Sequence, residues 1–76
     1  MEQELVEYIA KSLVDHPEQV KVNKRETSSS TILELTVAKD DMGRVIGKNG
    51  QVANAIRALL RVVATRQKTR IILEID

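Results

Sequence analysis

Four consecutive residues, Gly47-Lys48-Asn49-Gly50, have the types and spacing from which chemistry can be read. Glycine at both outer positions permits a sharp reversal at positive φ and lets another backbone come close with no Cβ in the way. A helical pattern begins directly after Gly50. It brings free N–H groups and the positive end of a helix dipole beside the loop, where a phosphate is favoured. Lys48 adds a mobile cation at the loop tip, and Asn49 a neutral donor and acceptor. Loop, helix terminus and lysine together suit a phosphodiester backbone. Two glycines three apart arise by chance in roughly one chain in three of this length, so the context discriminates: Val45-Ile46 before the loop, the lysine inside it, and Ile56 six residues after Gly50.

Other chemistries lack a foothold. The chain has no cysteine and a single histidine, His16, with no carboxylate at a suggestive spacing. Ser28, Ser29 and Ser30 form a polar run with no identifiable base. The adjacent Asp40 and Asp41 read as helix caps. The glycine loop also lacks the Gly-x-x-x-x-Gly-Lys-Ser/Thr pattern of a nucleotide hydrolase. The reading is a protein without catalytic activity, bound metal or cofactor.

Twelve Lys and Arg stand against eleven Asp and Glu in 76 residues, but their distribution is uneven. Residues 1–20 hold five acids and one lysine, whereas residues 42–71 hold seven bases and no acid. Two readings of that acid-free stretch stay open: a solvated basic face, which Arg57 and Arg61 fit, or a surface for an acidic partner. No apolar run approaches the eighteen or so residues that cross a bilayer. The first residues are acidic where a secretory signal is basic. These features give the expectation of a cytoplasmic protein without membrane contact.

The elements that must position the loop follow from periodicity. Leu5, Val6, Ile9, Ala10, Leu13 and Val14 recur at helical spacing, a pattern that ends before Pro17. Val20 and Val22 open a polar edge strand reaching Glu26, and Thr27 to Ser30 connect it to a strand with Leu33, Leu35 and Val37 on one face. Met42 to Ile46 form a short helix ended by Gly47. Val52, Ile56, Leu59, Leu60 and Val63 form the apolar stripe of a longer one, and Gln67-Lys68-Thr69 breaks it. Arg70 to Ile75 read as a last strand with Ile71, Leu73 and Ile75 on one face. The order α-β-β-α-α-β predicts an α+β fold in one domain, 1–76: a three-stranded mixed sheet with three helices on one face. Tyr8 is the single aromatic residue, so the core is aliphatic.

At Val45-Ile46-Gly47-Lys48-Asn49-Gly50 and Ile56 the sequence resembles the KH domain, whose hallmark is Val-Ile-Gly-x-x-Gly followed six residues later by Ile. The element order matches its type II form, with the extra helix and strand before the βααβ core. The segment from Asp41 to Lys48 and the triplet Ala55-Ile56-Arg57 are similar to those of small stand-alone bacterial KH proteins.

The resemblance covers the whole chain and implies that about four single-stranded RNA nucleotides lie in a groove, gripped by residues 47–50. One groove wall would be the two helices that flank the loop. The other would be the last strand with the connection at residues 27–31. Gly47 and Gly50 would shape the loop, Lys48 and Asn49 face phosphate, and Arg44 reach the sugar-phosphate from one helical turn earlier. Arg70 would line the opposite wall. Ile46 belongs to the motif and, with Ile56, is expected in the core beneath the loop. Without Phe or Trp, base stacking cannot be the main source of affinity, so binding should be weak, salt-sensitive and loosely selective. Post-transcriptional regulation or RNA chaperoning is the role so implied.

The longer of the two flanking helices is apolar over about 160° of its circumference, from Val62 and Ala55 round to Leu60. A surface helix needs little more than 100° to cover a core. Either this helix is unusually well buried, or Ala58, Leu59 and Val62 face a partner. The resemblance implies pairing, as a homodimer or with a larger KH-containing protein. The competing function is a protein-interaction module in which RNA contact is secondary.

Overall fold

The apolar spacing between residues 5 and 14 produces helix α1, Glu2–Leu13, whose Val6 and Ala10 are fully buried. The structure, a computed structural model, describes residues 2–76. A short turn at Pro17–Gln19 follows α1 and leads into strand β1, Lys21–Glu26. Strand β2, Ser30–Thr36, buries Thr31, Leu33 and Leu35 and leaves the alternate residues half-buried, the period of a sheet covered on one side. Thr27 organises the turn between these strands. Its hydroxyl accepts from the Ser30 N–H at 3.0 Å, and its own N–H donates to the Ser30 carbonyl at 2.8 Å.

Helices α2, Met42–Ile46, and α3, Gln51–Gln67, form the crossover that returns the chain to strand β3, Arg70–Ile75. Such a connection makes β3 parallel to β2, with Leu73 opposite Leu33, whereas β1 pairs antiparallel with Leu35 opposite Val22. The sheet order is β1-β2-β3. All three helices pack on one face: Val6, Ala10, Val45, Ile56 and Leu60 meet Leu33, Leu35 and Leu73 in one buried cluster. The expected mixed sheet and element order are those found, and the core is aliphatic, since Tyr8 is exposed.

Polar groups tie α1 to the rest. Lys24 lies on the same face of β1 as Val22, where alternation would place an apolar residue. It instead reaches Glu2 and Glu26, each at 3.1 Å. Glu2 is buried in the first turn of α1. A hydrogen bond from its own backbone N–H holds its carboxyl below the ordinary value, with the Lys24 ammonium adding to the effect against the opposing influence of burial.

The reading of Asp41 as a helix cap is corrected. It occupies the N-cap position of α2, but its side chain makes no capping hydrogen bond. The carboxylate is 1% exposed and turns toward the end of α1, where it accepts from the N–H groups of Asp15 at 3.1 Å and His16 at 3.0 Å. Asp40 stays exposed, and the turn preceding α2 likewise has no side-chain cap. The long-range bonds prevail because those two N–H groups follow the last turn of α1 and Pro17 forbids its continuation. Arg44 completes the joint, with its guanidinium 2.9 Å from Asp15 and 3.5 Å from Asp41.

Asp41→Ala leaves both N–H groups without their acceptor and should lower stability by about 2–4 kcal/mol in urea denaturation. Asp41→Asn, whose amide oxygen can still accept, should lose less. A change within about 0.5 kcal/mol for the alanine variant, the level of an ordinary surface substitution, would contradict this account.

Candidate nucleic-acid interface

Helix α2 stops because Gly47 adopts φ 78° and ψ 170°, and the chain then makes a single turn over Lys48–Gly50. Asn49, at φ 58°, and Gly50, at φ 77°, are also left-handed. Asparagine is among the few side chains that accept this region at low cost. The two glycines are required for different reasons. A Cβ on Gly47 would lie 2.5 Å from the Val52 Cγ2 and 2.8 Å from the Val52 backbone nitrogen. A Cβ on Gly50 would meet nothing nearer than the Asn54 amide at 3.7 Å, so there only the positive φ matters.

Two loop N–H groups are spent internally, Gly47 on the Gly43 carbonyl at 2.8 Å and Gly50 on the Gly47 carbonyl at 3.1 Å. Lys48 and Asn49 stand exposed at the tip. Helix α3 begins at once, with Gly50 as N-cap and no side-chain cap on its first turn. The positive end of its dipole is therefore presented beside the Lys48 ammonium.

The other expected site residues are placed unequally. Val45 is fully buried and Ile56 is 2% exposed, but Ile46 is 36% exposed. The expectation that Ile46 sits in the core is corrected: successive residues of α2 are turned by about 100°, and Val45 takes the inward position. Ile46 therefore offers an aliphatic surface immediately before the loop. Arg44 points its guanidinium at Asp15 and Asp41, which partly neutralise it. Arg70 is exposed at the start of β3.

A groove of about 640 Å³ lies between α3 and β3, and what sequence reasoning missed is the place of Arg57 and Arg61 on it. Its charged rim is Arg57, Arg61 and Arg70 with Lys68 at the α3 terminus; Ser29 comes from the β1–β2 turn. Ala64, Ile71 and Leu73 supply apolar lining. Of the expected walls, α3, the last strand and the connection at residues 27–31 contribute to it. No residue of α2 or of the loop does, and the groove begins about 9 Å along α3 from the loop. The Arg57 guanidinium donates to the Leu73 carbonyl across it at 3.3 Å. Arg57 and Arg61, readable as a solvated ridge, thus flank a concavity. The signal was their spacing of four residues, which points them the same way.

Charge pairing sharpens the contrast. Lys11, Lys24, Arg25 and Arg44 each meet a carboxylate within 4 Å. Among the described residues, Lys48 and the four groove cations have no such partner. Lys21, Lys39 and Arg66 are likewise without one among the described residues, so uncompensated positive charge runs from the loop along the groove side of α3 without being confined to it.

A different side of α3 is apolar and open. Ile56 and Leu60 face the core, while Leu59 is 50% and Val62 58% exposed, with Ala58 exposed beside them. The single buried stripe expected to include Leu59 is thus narrower, and Leu59 lies outside it.

Residues 3–75 match the family model described as "KhpA/KhpB, KH domain". The chain is 53% identical to the RNA-binding protein KhpA of Caldanaerobacter subterraneus subsp. tengcongensis over 95% of this chain and 96% of that relative. It is 51% identical to the RNA-binding protein KhpA of Clostridium perfringens over the same shares. Among solved structures, a point variant of Aquifex aeolicus Era bound to GDP.AlF4- superposes with TM-score 0.69 at 20% identity. The match covers 97% of this chain and 29% of that one, a likeness of fold alone.

Gly50→Ala should cost about 1–2 kcal/mol, the ordinary penalty of a left-handed alanine. Gly47→Ala adds overlap with Val52 and should cost about 2–5 kcal/mol in all. Urea denaturation of the two variants would measure both. Equal losses would show that the Val52 contact imposes nothing.

Proposed function

Since this chain belongs to the KhpA/KhpB family of KH domains, we propose that it binds single-stranded RNA without catalysing a reaction on it. The observation that carries this reading is the left-handed turn at residues 47–50, which sets an unpaired Lys48 and exposed Asn49 beside the uncapped N-terminus of α3. A phosphodiester backbone meets there a dipole terminus, an ammonium and an amide. Ile46 supplies aliphatic contact at the edge of the loop, and the groove toward Arg70 receives the bases. The names of the relatives, RNA-binding proteins, support the same conclusion.

With Tyr8 the only aromatic residue, the strand is held by phosphate contacts and hydrogen bonds rather than by stacking. Such grip is tolerant of sequence and sensitive to salt. It suits a cytoplasmic RNA chaperone or post-transcriptional regulator acting on many transcripts. No helix among the described residues is long and apolar enough to cross a membrane.

A second function of the same chain is pairing. Leu59 and Val62 expose apolar surface on a helix whose core-facing side is already satisfied by Ile56 and Leu60. An aliphatic stripe of this kind suits a second copy of the chain or a larger KH-containing, KhpB-like protein. If pairing were the primary role, RNA contact would be secondary; the unneutralised Lys48 favours RNA contact as primary.

Lys48→Asp/Asn49→Asp should weaken binding of a mixed-sequence single-stranded RNA by at least about tenfold, read by fluorescence anisotropy. The wild-type log K should fall with log salt at a slope of about −2 to −3, the value for three or four phosphates on a single strand. Equal affinities for the two proteins, or a flat salt dependence, would overturn the RNA reading.

Sedimentation equilibrium tests the pairing. The wild-type mass should rise with concentration toward a dimer, and Val62→Glu should hold it at the monomer. A monomer at every concentration in both would remove self-pairing.

A further inference from the structure

We propose that Asp15 is a positioning residue for RNA binding: its carboxylate holds the Arg44 guanidinium back from the strand and so limits the affinity. The inference rests on the RNA-binding reading and deepens it, because it names a residue outside the loop that sets how strongly the same site grips.

Direction is the first ground. Arg44 stands three residues before Gly47, about 4.5 Å along the axis of α2 from the loop. A side chain on a helix leans toward the N-terminal end of that helix, and here two contacts fix the lean. The Arg44 Nε is 3.5 Å from the Asp41 Oδ1, and its Nη2 donates to the Asp15 Oδ2 at 2.9 Å. The charged head is therefore drawn toward the end of α1, whereas the loop lies at the opposite end of α2.

The two carboxylates hold that head differently. Asp41 is buried and already accepts from the N–H groups of Asp15 and His16, so its first duty is to the backbone. The Asp15 carboxylate has no such duty. It is more than half exposed, as is Arg44. It nevertheless rises from a pinned position, because the Asp15 N–H is bonded to Asp41. An acceptor already fixed beside the guanidinium has the advantage over a phosphate that must first be ordered there.

Charge is the third ground. Two carboxylates against one guanidinium leave the cluster with a net charge of −1. A phosphate approaching this side of α2 meets no attraction from the cluster as a whole. Lys48, on the other side of Gly47, has no carboxylate within 4 Å among the described residues. Removing the Asp15 carboxylate brings the cluster to zero and frees the Nη edge of Arg44, which can then take a phosphate through paired N–H groups.

A double-mutant cycle tests the inference. Anisotropy titrations of one mixed-sequence single-stranded RNA, across a potassium chloride series, would be run on the wild type, Asp15→Ala, Arg44→Gln and Asp15→Ala/Arg44→Gln. Both replaced side chains are exposed, and the two N–H donors to Asp41 belong to the backbone and stay in every variant. Loss of an exposed ion pair costs a fold little, so thermal unfolding should remain cooperative in all four.

Asp15→Ala should bind the RNA about fivefold more tightly at 0.1 M salt, and its log K should fall with log salt more steeply by about 0.7. Both are the values for one added phosphate contact on a single strand. With Arg44→Gln in place, the same alanine substitution should leave the slope unaltered and change the affinity by less than about twofold. What remains there is the screened effect of one fewer negative charge.

An unchanged slope in Asp15→Ala, or weaker binding by it, would overturn the proposal. So would an equal gain with and without Arg44, since a carboxylate acting on the RNA from a distance needs no guanidinium. Each of these results leaves the RNA reading intact. Failure of that reading has its own signature, equal binding by the wild type and Lys48→Asp/Asn49→Asp, and it would remove the role of Asp15 as well.

Discussion

The site depends on one close approach, that of the Gly47 backbone to Val52. With the Cβ position of Gly47 only 2.5 Å from the Val52 Cγ2, no other residue type fits without moving one of the two helices. That approach is what allows α3 to begin so soon after α2 ends. It also forces the intervening residues outward, so that Lys48 and Asn49 project instead of packing. Positive φ at Gly47, Asn49 and Gly50 is the conformational cost of the reversal. It falls on the two residue types that bear it most easily.

Such a turn needs rigid supports, and α2 is a poor one by itself. Five residues are far below the length at which a helix is stable alone. Its stability is tertiary: Val45 is fully buried in the shared cluster, and Asp41, just before the helix, is locked to the end of α1 by two hydrogen bonds. The acidic first part of the chain thereby has a structural use. Asp15 engages Arg44 and Glu2 engages Lys24, so basic groups beside α1 are neutralised, while those along α3 are not. The near-zero net charge of the whole chain conceals a molecule with one strongly positive side.

How much of this the sequence disclosed depended on whether a signal was local. Helix and strand spans were legible because aliphatic residues recur at clean periods, and α2 and β3 begin and end where their flanking residues indicated. The glycine loop was legible because glycines at this spacing before a helical pattern have a backbone meaning. Asp41 was misread because a capping aspartate and one that accepts from a distant backbone look alike in the chain. Only the return of α1 to the start of α2 separates them. Ile46 was misplaced because two adjacent apolar residues on a short helix give no sign of which faces inward. Arg57 and Arg61 gained a role only from β3, whose parallel docking beside β2 turns a ridge on α3 into one wall of a groove.

Helix α3 presents three different sides, and the division bears on how the two proposed functions would share 76 residues. Ile56 and Leu60 face the sheet; Arg57 and Arg61 rim the groove; Leu59 and Val62 face outward. At 100° per residue, the centres of the cationic and outward apolar arcs are separated by about 150°. The Leu59 and Val62 side chains therefore point away from Arg57 and Arg61. Two copies joined through Leu59 and Val62 would carry two separate RNA grooves on one body. Weak phosphate contacts in each would then act together on a single long strand, because the second engagement is intramolecular. Pairing and RNA contact need not compete for α3. On the proposed reading, pairing would let a groove without aromatic stacking gain affinity from two linked engagements.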